Sequence, residues 1–446
     1  MKYKRYIPYF SAVLCTAVYL SLVFNDNIWL DEAFSASIIR CGYKEMLSRT
    51  FADTLPPFYN LSAWLFTRIF GFSTIGLKIF SVLPVFLLML VSARFLTRVS
   101  SVRASCIYMA LVTGMPHFLE HGVEIRMYSW AVFFASSAAI FALCVTRKIR
   151  YAGIGLTACT VLGAYTHQYA LIAEAFIWLM LLAVMYRNKE ISAWLKMSAV
   201  CIILYIPCAA LTLHQMKAAS SYFSAAPATL GSLFASLRYP YVTNITVLSA
   251  ILMLSVLSLL IYSCKRRDAS SAYYMLIYVF VTFMSFGIMW STGSTFFTSR
   301  YLMPSIGILW LGVSITLENV IMEKKQAGIF ALLILSAVCI VVYVRQYRTE
   351  YVDMSGFEEF IAATGPEDGY IIYEDFPEIE ICLGYYAPWL RKCEPEELDG
   401  VAGHKYLIVN RDIHINDVEK IKKYELKYIG NLSFDRYTFK AYELSE

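Results

Sequence analysis

The sequence predicts an all-α polytopic membrane protein of about 11 transmembrane helices, with a long first outer loop bearing surface helices and a small C-terminal α/β extracytoplasmic domain. Three observations predict it. Hydrophobic residues make up 59% of the 446 residues and charged residues 16%, where a soluble domain carries about a quarter charged. The apolar residues fall in long uninterrupted runs, and a helix needs roughly 20 of them to cross a bilayer. Basic residues cluster between those runs on alternate loops, the pattern that fixes membrane topology.

Taken in order, spans are read at 6–24, 76–97, 104–118, 127–146, 151–166, 169–186, 194–213, 246–263, 272–292, 301–319 and 327–345. Lys2, Lys4 and Arg5 precede the first span. Arg98 and Arg103, then Arg147, Lys148 and Arg150, then Arg187 and Lys189, then Lys265 to Arg267, then Lys324 and Lys325 follow on alternate loops. All become cytoplasmic when the N-terminus is inside. No small-residue cleavage site follows the first span, so it reads as a retained helix. Residues 56–71 are apolar but short and carry Arg68; they read as an amphipathic helix on the outer surface. The stretch 151–186 is too long for one crossing at 1.5 Å per residue, so it reads as a hairpin turning at Tyr165-Thr166-His167-Gln168. After about 345 the composition turns mixed and charged. SGFEEFIAATG reads as a helix, and YIIYED, KYLIVN and the tyrosine-rich end read as strands. The chain divides into a membrane domain, 1–345, and an outer domain, 346–446.

The net charge of +5 is spread as topology signals, which leaves no nucleic-acid-binding face. No zinc spacing, Walker loop or GxGxxG after a strand occurs. Most of the 11 cysteines lie in apolar runs and read as small buried hydrophobes. Cys382 and Cys393 lie in the outer domain and could pair in an oxidising compartment.

With this topology the polar residues collect on the outer side. The first outer loop opens with NIWLDEAFS, residues 27–35, and places Asp31 and Glu32 beside Trp29 and Phe34. It continues through Asp53 and Pro56-Pro57 to Tyr59. HFLEHGVEIRMY, 117–128, brings His117, Glu120, His121, Glu124 and Arg126. His167 sits at the hairpin, and Arg300 and Tyr301 enter a late span. Each has an ordinary reading: the arginines as snorkelling helix ends, Glu124 as their ion-pair partner, Asp53 as a helix cap, His167 as a helix-end histidine. The outer histidines and acids could also hold a metal, with His117 and His121 the one pair at helical spacing. Together they describe an outer cavity at membrane depth, where charge is costly. A carboxylate there can take a proton from an acceptor hydroxyl. Arginines opposite can hold a phosphate and stabilise it as a leaving group. Trp29, Phe34 and Tyr59 suit sugar faces and polyprenyl chains.

These residues resemble the GT-C superfamily of membrane glycosyltransferases, in the bacterial branch related to protein O-mannosyltransferases and lipid A aminoarabinose transferases. The resemblance rests on Asp31-Glu32 after the first helix, on Asp53 leading into Pro56-Pro57-Phe58-Tyr59, and on Glu124-Ile125-Arg126-Met127-Tyr128 at the start of a span. Tyr165-Thr166-His167 at the hairpin and Arg300-Tyr301 with Pro304 complete it. It covers 1 to about 345. It implies a polyprenyl-phosphate-linked sugar donor, inversion at the anomeric carbon, and an acceptor on a protein, a lipid or a cell-wall glycan. Carried over, Asp31 is the general base, a role Glu32 could hold instead. Glu124 is a second acid orienting the acceptor or supporting the base. Glu32, Arg126, His167, Arg300 and Tyr301 contact the donor phosphate or sugar, and Asp53, Pro57 and Tyr59 form the cavity wall. Thr54-Leu55 stand where the family often has a histidine before the prolines. A divalent metal stays open, since members of the family differ. The expected place is the cell (inner) membrane, with site and outer domain extracytoplasmic. The competing readings are a transporter or flippase of a lipid-linked sugar and a non-enzymatic scaffold of an envelope complex.

Overall fold

The structure is a computed structural model. It describes residues 5–222, 228–243, 245–292, 297–372, 377–410, 424–434 and 437–445, without the side chains of 216–222, 292, 377 and 410. The expectations on Lys2, Lys4 and strand residues 373–375 lie outside the described residues.

Helix α1 (Ile7–Leu20) leads into three short helices, α2 (Leu30–Arg40), α3 (Tyr43–Ala52) and α4 (Phe58–Phe70). Next comes α5 (Thr74–Val91), which passes through a π-turn at Ser92–Leu96 into one turn of α6 (Thr97–Val99). Then follow α7 (Val102–Gly114), the short α8 (Phe118–Val123), α9 (Tyr128–Thr146), α10 (Ala152–Ala164) and α11 (Gln168–Arg187). The chain continues with α12 (Ile191–Tyr222), α13 (Leu230–Arg238), α14 (Thr246–Lys265), α15 (Ala269–Thr292), α16 (Met303–Glu323) and α17 (Lys325–Glu350). Among the described residues, eight helices are long and apolar enough to cross a membrane; α1, α7 and α10 are shorter apolar helices. A helix stands at each predicted span, and the 151–186 segment turns back at Tyr165–His167 as expected. The surface helix expected at 56–71 is α4.

One end of the bundle is basic. There Lys148 Nζ meets Glu190 at 2.7 Å, Arg266 pairs with Glu323, and Arg103 reaches Met322. The opposite end carries α2 to α4, α8 and the 165–168 turn. Helices α9 and α16 are the most buried spans, at 78% and 72%, and form the hub. Lipid is as apolar as leucine, so helices here associate by close packing and hydrogen bonds rather than by burial from water. Small residues supply that closeness. A side chain at Gly307 would meet Ser136 Oγ of α9, and one at Gly312 would lie 2.7 Å from the Ser271 carbonyl of α15. Tyr274 donates to the Ala139 carbonyl at 2.9 Å, tying α15 to α9.

The C-terminal part, expected on the outer face and called the outer domain below, holds α18 (Ser355–Ala363), α19 (Pro377–Tyr386) and a five-stranded sheet in the order β2-β1-β3-β5-β4. Its strands are β1 (Gly369–Ile372), β2 (Arg391–Lys392), β3 (Lys405–Asn410), β4 (Glu425–Phe434) and β5 (Tyr437–Ser445). β1 runs parallel to β2 and β3, and β5 antiparallel to β3 and β4. Helix α19 was not expected; its role is docking. Tyr386 Oη accepts from the Ile28 amide at 3.0 Å and donates to the Asp26 carbonyl at 2.6 Å, and Tyr385 Oη meets Thr74 Oγ1 at 2.9 Å. The cysteines of the outer domain are not bridged. Cys382 packs with Tyr406 and Ile408 on one face of the sheet, Cys393 with Leu407 and Val409 on the other, and both keep their thiols. Helix α17 continues past residue 345 and ends on Glu350. Its carboxylate takes the buried Lys78 ammonium of α5 at 2.7 Å, and Gln346 donates to its other oxygen at 3.0 Å. Lys78 also donates to Asn25 Oδ1 at 2.7 Å.

This pair is buried on both sides, and breaking one partner of such a pair strands a charge. Lys78→Met should lower stability by about 3 kcal/mol. The double variant Lys78→Met/Glu350→Leu should recover most of that loss in thermal unfolding of the detergent-solubilised protein.

Candidate active site

Asp31 and Glu32 sit in the first turn of α2, where the unpaired helix amides favour negative charge. Neighbouring helical residues project about 100° apart, so the two carboxylates part company. Glu32 turns inward. Its Oε2 accepts from the Trp29 amide at 3.2 Å, closing its own helix start, and its Oε1 accepts from the Ile125 amide at 2.7 Å. It is buried, and that burial pushes its carboxyl up to about 8; Glu350 and Glu124 add to the rise, while Lys78 and the Ile125 amide oppose it. The donor contact expected of Glu32 is not what the geometry offers. Both oxygens face backbone amides, and the residue positions the 124–126 segment against α2.

Asp31 turns the other way, toward two arginines. Arg300 Nη2 lies 2.8 Å from Asp31 Oδ2, and Arg126 Nη2 lies 3.9 Å from the same atom. Arg126 is fixed by Nη1 donating to Ser35 Oγ at 2.8 Å, while Ser35 Oγ donates to the Asp31 carbonyl at 3.0 Å. Ser35, one helical turn after Asp31, was missed in the sequence; the i, i+4 spacing after the acid was its signal. The Arg300 guanidinium also stacks 5.1 Å over the Trp29 ring. Asp31 Oδ2 has no hydrogen bond of good direction despite the short contact to Arg300. The contact is one of charge, without an aligned N–H, and it leaves a lone pair of the carboxylate unspent. The side chains of Asp31, Arg126 and Arg300 stay 19%, 10% and 27% exposed, so the cluster is reachable.

His167 caps α11, its Nδ1 accepting from the Tyr169 amide at 3.1 Å. Nε2 therefore carries the hydrogen, and it is a buried donor without a partner. Burial, reinforced by Arg126 and Arg300, holds the imidazole down at about 3, neutral at physiological pH. Its ring lies 5.5 Å from that of Tyr301. Asp53 ends α3 and accepts from the Thr54 amide at 2.7 Å, so it does not cap α4. Burial raises its carboxyl, and Arg126 counters. The prolines lie buried behind it. The hairpin turn pins this step: the Phe58 amide donates to the Tyr165 carbonyl at 3.0 Å and Gln168 donates to the Thr54 carbonyl at 2.9 Å. Pro57 holds the N-cap position of α4. Tyr59 is a correction. It is buried with its hydroxyl 3.4 Å from Ser81 of α5, because its place on α4 faces the bundle, so it backs the wall and offers no ring to a ligand.

Glu124 follows Glu32 rather than Asp31. It is buried, and its Oε2 takes the His121 Nδ1 hydrogen at 2.8 Å. Burial raises its carboxyl and His121 offsets part of this; burial lowers His121, but Glu124 and Glu120 outweigh that and leave it raised. A divalent cation on Asp31 does not fit, because two guanidiniums already face that carboxylate.

The whole chain superimposes on solved structures of this architecture. ArnT from Cupriavidus metallidurans in the apo state matches with a TM-score of 0.60 at 12% identity, over 97% of both chains. The same protein bound to undecaprenyl phosphate matches at 0.60 and 11% identity, again over 97% of both. The chain has the GT-C fold. The oligosaccharyltransferase AglB from Archaeoglobus fulgidus, in complex with an inhibitory peptide and a dolichol-phosphate, also shares it, at a TM-score of 0.53 and 10% identity, over 92% of this chain and 70% of that one. No family model matches the sequence, and neither does any curated protein. The GT-C fold thus stands on architecture, with a multi-pass helical membrane part and a small C-terminal sheet domain, as the sequence led one to expect.

Glu32 gives a pH test of this geometry. Its folded value of about 8 lies above the ordinary 4.5, so the folded chain keeps a proton that the unfolded chain releases. Stability from this group is full below about 4.5 and falls as pH rises toward 8. The thermal midpoint of wild type relative to Glu32→Gln should therefore decline between pH 5 and 8. A flat difference across that window would count against the inward, proton-holding Glu32.

Proposed function

We propose that this protein is an integral membrane glycosyltransferase that moves a sugar from a polyprenyl-phosphate donor to an acceptor hydroxyl at the outer face of the membrane. The observation that carries the reading is Asp31 between Arg300 and Arg126, with one carboxylate lone pair undirected. A forked guanidinium binds a phosphate by paired charge-assisted hydrogen bonds. A donor phosphate entering the site competes for both arginines, and Asp31 is then free to meet the acceptor. In the transfer, the acceptor oxygen attacks the anomeric carbon from the face opposite the phosphate, and Asp31 takes the hydroxyl proton. The bond from that carbon to the phosphate oxygen breaks, and the arginines and the His167 Nε2–H receive the charge left on the lipid phosphate. One displacement inverts the anomeric centre. Glu32 and Glu124 hold the Arg126 segment from behind and touch neither reactant.

The donor class is supported by the neighbours of the same fold, ArnT bound to undecaprenyl phosphate and AglB bound to a dolichol-phosphate. Basic residues at the other end of the bundle favour a cytoplasmic N-terminus and an outward site, consistent with the inner membrane.

The test compares wild type, Asp31→Asn and Arg300→Ala with a labelled polyprenyl-phosphate sugar and a membrane extract as acceptor. Asp31→Asn should lose about 10²- to 10⁴-fold in transfer and bind polyprenyl phosphate at least as well as wild type, because its removal releases the arginines. Arg300→Ala should weaken donor binding by roughly tenfold or more, the loss of one charge-assisted contact. Transport of the lipid-linked sugar across vesicles with no transfer by wild type would sink the enzyme reading.

A further inference from the structure

Just before the Glu124–Arg126 step, α8 and its N-cap carry three groups whose ligand-capable atoms all lie within 4.8 Å of one another: His117, Glu120 and His121. The hydrogen bonds around them fix which atoms face inward. His117 Nε2 is 3.1 Å from the Tyr239 carbonyl oxygen. A carbonyl only accepts, so Nε2 holds a hydrogen, and in the neutral ring Nδ1 then carries a lone pair. That lone pair faces Glu120 Oε2 at 3.4 Å. A cation can bridge the neutral ring and that carboxylate. His121 is arranged in the complementary sense. Its Nδ1 donates to Glu124 at 2.8 Å, and its Nε2, 3.0 Å from the Tyr239 hydroxyl, is the atom a metal would take in place of a proton.

Histidines that bind metals hold their second ring nitrogen on a carbonyl or a carboxylate, which sets tautomer and ring direction. Both histidines do so here, one on the Tyr239 carbonyl and one on Glu124. His117 also adopts a left-handed backbone at φ 70°, a conformation that costs a side-chain-bearing residue and persists only where the surroundings hold it. The Tyr239 ring stacks on the His117 ring at 3.8 Å between centroids, and the stack fixes the imidazole. A cavity of about 20 Å³ opens beside His117 and Glu120, room for about one water-sized species. Arg345 lines the same cavity. Its charge opposes a cation, so the site needs both imidazoles and not the carboxylate alone.

We propose that His117, Glu120 and His121 form a binding site for one divalent transition-metal ion of the zinc class. Two imidazoles and one carboxylate are a donor set that suits zinc, with a fourth position for water or the Tyr239 hydroxyl. The ion clamps α8 to the 3₁₀ turn at Tyr239–Tyr241, and through the His121–Glu124 bond it steadies the segment that presents Arg126. The site shares no residue with the Asp31 cluster, so it stands or falls apart from the glycosyltransferase reading.

The test uses the full chain in detergent, stripped with a chelator, dialysed, reloaded with Zn²⁺ and passed through a desalting column before elemental analysis. Wild type should retain one zinc per chain, and Co²⁺ in its place should give the visible absorption of a four- or five-coordinate nitrogen and oxygen site. His117→Ala and the nearly isosteric Glu120→Gln should each weaken retention at least tenfold, while Asp31→Asn should retain the metal as wild type does. If His117→Ala fails to fold, Glu120→Gln alone decides. Wild type without bound metal at micromolar free Zn²⁺, or Glu120→Gln retaining metal as tightly as wild type, overturns the proposal.

Discussion

The bond from the Ile125 amide to Glu32 is the contact on which the site depends. It joins the first turn of a surface helix to the short stretch between α8 and α9, two segments far apart in the chain. It holds the backbone that carries Arg126 against the helix that carries Asp31 and Ser35, whose side chains then meet. A buried carboxyl is a costly way to make such a joint, since burial disfavours its charge. The cost is held down because the group keeps its proton and because both oxygens meet amides. Adjacent carboxylates at a helix start therefore do different work: one is walled in and nearly neutral, while its neighbour stays reachable among arginines.

Much of the architecture was legible in the sequence because the bilayer imposes one length scale. Apolar runs and basic clusters placed the spans, and the hairpin at 165–168 followed from helix length alone. The hidden parts were those where a polar side chain is used inside the protein. Lys78 lies in an apolar run and read as nothing; only the fold shows it pairing with Glu350, over 270 positions away in the chain. The docking tyrosines 385 and 386 lie in a segment to which the sequence reading assigned no element. Composition reports what lies in lipid and what lies in water, and it is silent on buried pairs between distant segments.

The candidate site divides in the same way. Asp31, Arg126 and Arg300 were legible because charge at membrane depth needs a partner, and each was another's partner. The roles of Glu32, Glu124 and Tyr59 were not. Their spacing places them near the arginines, but the direction in which each side chain leaves its helix decides whether it faces a ligand or the bundle. Glu124 goes to His121 and Tyr59 to Ser81. A motif gives proximity along the chain; the packing of α4 on α5 and of α8 beneath the 3₁₀ turn gives direction.

The pairing of Asp31 with two arginines looks at first like a site blocked by itself, since a base held by cations is a poor base. The chemistry of the proposed donor resolves this. A lipid-linked sugar phosphate is a diester with one negative charge over two free oxygens, which fits a guanidinium fork as a carboxylate does and gains a second charge as the sugar leaves. On the proposed reading the arginines hold Asp31 in place, and an arriving lipid phosphate competes for them. Under the proposed function, Asp31 would then take the acceptor proton with the leaving group already held. The undirected contact between Arg300 and Asp31 fits a pair made to be exchanged, since a fully aligned, two-bond pair would be harder for the phosphate to displace.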